Sequence, residues 1–127
     1  MADASWEVQK AIYTKLKTDL SINVYDNVPS SAQTPYVTIG DDTASDDSTK
    51  TDDGQQITLT IHAWSDYAGR KQVKELGAEI YAALHKQPLP VAGFDVREVR
   101  WVFGDTIREP DGHTYHGVQR FRVFVQG

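Results

Sequence analysis

Gln56-Ile57-Thr58-Leu59-Thr60-Ile61-His62-Ala63-Trp64 alternates apolar and polar side chains without a break. Successive residues of a strand point to opposite faces, so Ile57, Leu59, Ile61 and Ala63 share one side. Gln56, Thr58, Thr60, His62 and Trp64 share the other. Such a strand buries one face in a core and leaves the second wet or in contact with a partner. This segment anchors the reading of the chain.

Upstream, Tyr36 to Gly40 has the β-branched and aromatic character of a strand, and Asn23 to Val28 is a short segment that Pro29 stops. Downstream, residues 95–108 and 115–125 read as a long hairpin. Pro110-Asp111-Gly112 supplies its turn, with proline fixing φ and glycine accepting φ > 0. Val99, Trp101 and Phe103 alternate with Glu98, Arg100 and Val102, which predicts Trp101 and Phe103 in the core. Phe121, Val123 and Val125 alternate with Arg120, Arg122 and Phe124.

Two helices flank the first strands. Val8, Ile12, Leu16 and Leu20 recur every fourth residue over Ser5 to Leu20, and Ser5 is the expected N-cap. Val73, Leu76, Ile80 and Leu84 mark a second helix over Arg70 to Lys86, ended by Pro88 and Pro90. Gly77 within that stripe weakens the helix by up to about 1 kcal/mol relative to Ala, which predicts close approach to the sheet. The fold class expected is α+β: a single small domain over residues 1–127. It has a mostly antiparallel sheet of four or five strands with two helices packed on one face.

The remaining segment, Asp41 to Gly54, has no apolar residue larger than Ala44. It carries Asp41, Asp42, Asp46, Asp47, Asp52 and Asp53 against Lys50. With little to bury, it is expected to form a long acidic loop, mobile over about residues 41–54. Those six aspartates and one lysine carry −5, which is the formal charge of the whole chain, so the rest is neutral. No basic stripe suited to phosphates exists, so sequence-specific nucleic-acid binding is not expected.

A chain of 127 residues fits one domain and can bury about two-thirds of its unfolded surface. It has no cysteine, which excludes disulfides, thiolate metal sites and thiol nucleophiles. The N-terminal MADASWEVQK lacks the basic-then-apolar pattern of an export signal, and no apolar run approaches the roughly 20 residues that span a bilayer. No membrane association is expected.

No catalytic, cofactor-binding or metal site is expected either. The acidic segment does not match a calcium-loop spacing: with Gly54 in the glycine position, Thr49 and Thr51 would stand where ligand carboxylates belong. His113 and His116 lie three apart at the entry to a strand, on opposite faces, and read as surface or hairpin residues. His62 reads as a partly buried structural histidine. Asp105 and Glu109 sit near a turn with no sign of a pocket, and no nucleophile or phosphate-loop motif is present.

The succession VYDNVP, TPYVTIGDDTASDDSTKTDDGQQITLTIHAWS, AGRKQVKELGAEIYAALH and REPDGHTYHGVQRFRV covers nearly the whole chain, in order. It resembles the tail-completion or tail-terminator family of tailed bacteriophages and prophages, which has relatives in gene-transfer agents. The most specific stretches are TKTDDGQQITLTIHAWS and PDGHTYHGVQRF. The resemblance implies a non-enzymatic structural protein that forms a homo-oligomeric ring, of six subunits, at the head-proximal end of the virion tail. It implies assembly in the host cytoplasm, an end to tube elongation, and contacts with the tail-tube protein and a head-completion or connector protein.

The acidic residues Asp41, Asp42, Asp46, Asp47, Lys50, Asp52 and Asp53, with His62 and Trp64 on the wet strand face, are the expected protein interface. Two other readings are a head–tail connector or minor virion protein, and a monomeric acidic binding module that mimics a nucleic acid.

Overall fold

The computed structural model describes all 127 residues. Its elements are α1 (Ser5–Asp19), β1 (Asn23–Tyr25), β2 (Tyr36–Asp46), β3 (Gly54–Ser65), α2 (Lys71–Leu84), β4 (Asp95–Arg108) and β5 (Tyr115–Gln126). The strands form one open sheet in the order β1-β2-β3-β5-β4. Only the short β1–β2 pair is parallel; β2–β3, β3–β5 and β4–β5 are antiparallel. The α+β expectation holds, with five strands.

The alternation in β3 decides which side is inside. Ile57, Leu59, Ile61 and Ala63 are buried, and they face Phe121, Val123 and Val125 of β5 on the same side. Both helices pack on that side of the sheet. Val8, Ile12 and Leu16 come from α1, and Val73, Leu76, Ile80 and Leu84 from α2, into one continuous core. Each such side chain contributes about 1.5–3 kcal/mol by leaving water. The opposite side of the sheet carries no helix.

Gly77 has the role its position suggested. A Cβ there would lie 2.8 Å from Nε2 of Gln119, whose amide donates to the Gly77 carbonyl at 2.8 Å. The hairpin turn also forms as read, with Gly112 at φ +80. Asp111 organises it: its carboxylate accepts from the Thr114 hydroxyl and from the backbone N–H groups of Thr114 and His113. These bonds lower its pKa to about 2.

Three expectations are corrected. The 41–54 segment is not one long loop. β2 runs on to Asp46, and residues 47–53 close a hairpin in which the Asp47 N–H donates to the Gly54 carbonyl and the Thr49 N–H to the Asp52 carbonyl. Strand pairing satisfies the backbone whatever the side chains bury, and a composition argument about burial overlooks it.

Ser5 is not the N-cap of α1. Ala4 occupies that place, and the Ser5 N–H is met instead by the Asp3 carboxylate at 2.8 Å. Trp101 and Phe103 are not core residues but stand 36% and 41% exposed. A bulge inserts Val102 between them, so Trp101 opposes Phe121 while Phe103 opposes Arg120 on the outer face. Strict alternation cannot survive one extra residue.

Phe121→Ala should therefore cost about 3–5 kcal/mol in urea denaturation. Phe103→Ala, on the wet face, should cost about 1 kcal/mol or less. The reverse order of the two losses would show that the bulge has been misplaced.

Candidate functional site

The outer face of the sheet is organised in rows set by the strand register. Tyr36, Trp64, His116 and Ile107 stand opposite one another across β2, β3, β5 and β4. In the next row are Thr38, His62, Val118 and Asp105. Beyond these come the uncharged Thr60, Thr58 and Gln56 of β3, opposite Arg120, Arg122 and Phe124 of β5.

The first two rows make an aromatic and imidazole cluster. The Trp64 indole stacks on His116 with centroids 3.8 Å apart and planes 11° from parallel. Its Nε1–H donates to the Thr38 hydroxyl at 3.2 Å. Tyr25 packs edge-on against Tyr36 at 5.6 Å, which extends the cluster to β1. Aromatic surfaces with one polar tip are suited to interfaces, where they concentrate binding energy.

Beneath Trp64 the two histidines form a relay. His62 Nδ1 and His116 Nε2 are 2.6 Å apart, and His116 Nδ1 lies 2.9 Å from a Glu109 carboxylate oxygen. With Nδ1–H of His116 given to Glu109, its Nε2 is free to accept from His62 Nδ1–H. Burial, and then the neighbouring His116, lower the His62 pKa below its ordinary 6.5; Asp41 partly offsets them. A bulge in β2 places Gly40 and Asp41 together opposite Thr60, bringing the backbone onto this ring. A Cβ at Gly40 would sit 2.5 Å from His62 Nε2, so glycine is required by contact.

The expected interface residues divide into two groups. His62 and Trp64 meet within the cluster. The acidic residues lie along the β2–β3 hairpin: Asp41, Asp42 and Asp46 on β2, and Asp47, Lys50, Asp52 and Asp53 in its turn. The Asp47 carboxylate pairs with Arg97 at 2.5 Å, and the N-terminal amine lies 3.6 Å from Asp53. These contacts fasten the hairpin to the body.

Reasoning from sequence missed His116, which is only 13% exposed in its side chain and sits inside the cluster. It also missed Glu109 as a hydrogen-bond partner. The alternation in β5 places His116, Arg120 and Arg122 on one face, but only the β3–β5 register shows that the face is shared with His62 and Trp64. Asp105 and Glu109 do not act as a pair. Asp105 borders a groove of about 630 Å³ between α2 and the edge strand β4, with Gly77, Tyr81, Trp101 and Gly104. The expectation of no pocket near Asp105 is thereby corrected.

The chain thus has two helices on one face of a five-stranded sheet and an aromatic and imidazole cluster on the other. The family model described as tail completion protein gp17 matches residues 10–126. The chain belongs to that family. It is 31% identical over 91 residues to the tail completion protein gp17 of Bacillus phage SPP1, covering 72% of this chain and 67% of the relative.

The solved structure of bacteriophage SPP1 gp17 superposes with a TM-score of 0.60 at 28% identity, over 94% of this chain and 89% of that one. A chain from the virion of a native gene transfer agent particle has the same fold, with a TM-score of 0.90 at 24% identity over the full length of both. Membership makes this chain a structural tail completion protein of a phage-type virion.

The His62 shift has a definite sign. As pH falls, the unfolded chain takes up a proton at this histidine near 6.5, before the folded one does. Stability should therefore decline as pH drops from about 7.5 to 5.5, a window in which surface carboxylates stay ionised. His62→Gln should flatten that decline. Equal slopes in urea-denaturation midpoints for the two proteins would show that His62 is not desolvated.

Proposed function

We propose that this tail completion protein forms a ring, of six copies, on the end of the tail tube, where it stops tube elongation and presents a surface for head docking. The observation that carries this reading is the bare sheet face with Trp64, Tyr36 and Tyr25 arrayed on it, opposite the helix-covered side. A ring of identical subunits needs a head-to-tail contact that closes, and a protein with two different open surfaces can supply one.

His62 and Trp64 on this face, and the acidic hairpin bearing Asp41, Asp42, Asp46, Asp47, Lys50, Asp52 and Asp53, are the contact residues in this reading. The partners are other copies, the tail-tube protein and the head-completion or connector protein. Its station is the head-proximal end of the tail, reached after assembly in the host cytoplasm. It has no enzymatic role in this reading: the histidine relay is a buttress beneath Trp64.

The test is the tube length in particles assembled without the chain, measured by negative-stain microscopy. Loss of the terminator should give overlong tubes of variable length together with tailless heads. Tubes of normal length beside full, tailless heads would make the chain a head–tail connector instead. Trp64→Ala should reproduce the deletion phenotype in part, by weakening docking about tenfold or more, without loss of fold.

A further inference from the structure

Four of the chain's six arginines, Arg97, Arg100, Arg120 and Arg122, gather on the outer face of β4 and β5, in a protein of net charge −5. Arg97 and Arg100 lie over the Phe124 ring, 5.8 and 6.0 Å from its centroid, and Arg120 lies 5.0 Å from that of Phe103. A guanidinium resting on an aromatic ring keeps its N–H edge available for a planar acceptor. Arg122 stands directly opposite Arg100, and like charges so placed weaken a strand pair. Glu98 compensates Arg100 and Asp47 compensates Arg97. Arg120 and Arg122, both exposed, enter no ion pair.

These two arginines form one rim of a shallow depression of about 580 Å³ on the outer face, with Thr58 and Thr60 as its floor. Asp41 stands on the opposite rim, exposed and likewise without an ion pair. Thr60 pairs with Arg120, and the β2 bulge sets Asp41 beside Thr60, so acid, hydroxyl and base follow one another in a row. Two strand spacings, about 10 Å, separate the rims. At that distance, on a wet surface, the opposite charges are largely screened from each other. Each is left to be matched from outside.

We propose that this depression is a dipolar socket for a segment of another virion protein, which sets a carboxylate on Arg120 and Arg122 and a lysine or arginine on Asp41. This rests on the reading of the bare sheet face as a contact surface, and it names the partner's chemistry at one place on that face. The mixed sign of the rims selects the occupant. A nucleic-acid duplex carries a negative charge about every 1.7 Å of its axis, so phosphates flanking those on the arginines would run into Asp41 and the acidic hairpin beyond it. The hairpin of a second copy would likewise bring carboxylates against Asp41.

A segment with both signs meets neither obstacle. Residues seven apart on one helix face are separated by about 10.5 Å, which matches the rims, and a helix is the element that covers a sheet face. Arg120 is already held on Phe103, and Asp41 is borne on a paired strand, so little conformational freedom is lost on docking.

Photo-crosslinking from the socket identifies the occupant. A diazirine-bearing residue replaces Gln56, which borders the depression, and tailed particles completed with this chain are irradiated. The cross-linked peptide should come from another virion protein and carry both an acidic and a basic residue. A cross-link to this chain's own sequence, to DNA or to a segment of a single sign would overturn the proposal, as would no cross-link at all.

Charge reversal then tests the contact itself. Arg120→Glu with Arg122→Glu should lower the yield of tailed particles by about tenfold or more. Replacing the acidic residue of the cross-linked segment by lysine should restore it, which a misfolded variant would not permit. Wild-type yield from the reversed arginines, or a loss that the partner's lysine leaves unchanged, would sink the socket. The tube-length measurement on particles lacking the chain judges the terminator role separately, so failure here leaves that reading intact.

Discussion

Twelve consecutive residue pairs join β3 to β5, from Gly54 with Gln126 to Ser65 with Tyr115, and the rest of the molecule is positioned by that ladder. Its register sets Ile57, Leu59 and Ile61 beside Val123, Phe121 and Gln119, giving the helices an almost wholly apolar surface to cover. The same register sets Trp64 beside His116 and His62 beside Val118 on the other face. A slip of one residue would exchange the two faces of one strand and destroy both at once. Core and candidate interface are therefore two consequences of one pairing.

That constraint explains why the outer face is at once ordered and open. Trp64 is held by stacking on His116 and by its hydrogen bond to Thr38, and His116 is held in turn by His62 and Glu109. The indole is thus fixed in place before any partner arrives, and prior order of this kind lowers the entropic cost of binding. The His62 imidazole sits where burial favours its neutral form, so its contribution to the platform is fullest at neutral pH and falls as protons are added. Gly40 belongs to the same device, since only a residue without Cβ lets the β2 bulge close over His62.

The hairpin between β2 and β3 serves the same economy of order. Its charge keeps it in water, but its backbone is paired and its turn is tied to Arg97 and to the chain's own N-terminal amine. A charged segment held at the edge of a sheet can steer an approaching surface, and it also discourages indiscriminate edge pairing.

The sequence by itself determined the elements, their order and the buried stripes, because helical and strand periodicities are local properties written in consecutive residues. It also determined the family, through stretches such as TKTDDGQQITLTIHAWS. Only the tertiary structure decided three further matters. The aspartate-rich segment became a strand because backbone pairing with β3 needs no apolar side chains. Phe103 left the core because a bulge at Val102 turns it to the outer face opposite Arg120, while Trp101 stays on the helix side opposite Phe121 but on the edge strand, where it is 36% exposed. His62, His116 and Glu109 came together across 54 and 7 residues of separation, for which periodicity carries no signal, since the register between distant strands is fixed by how two whole faces fit.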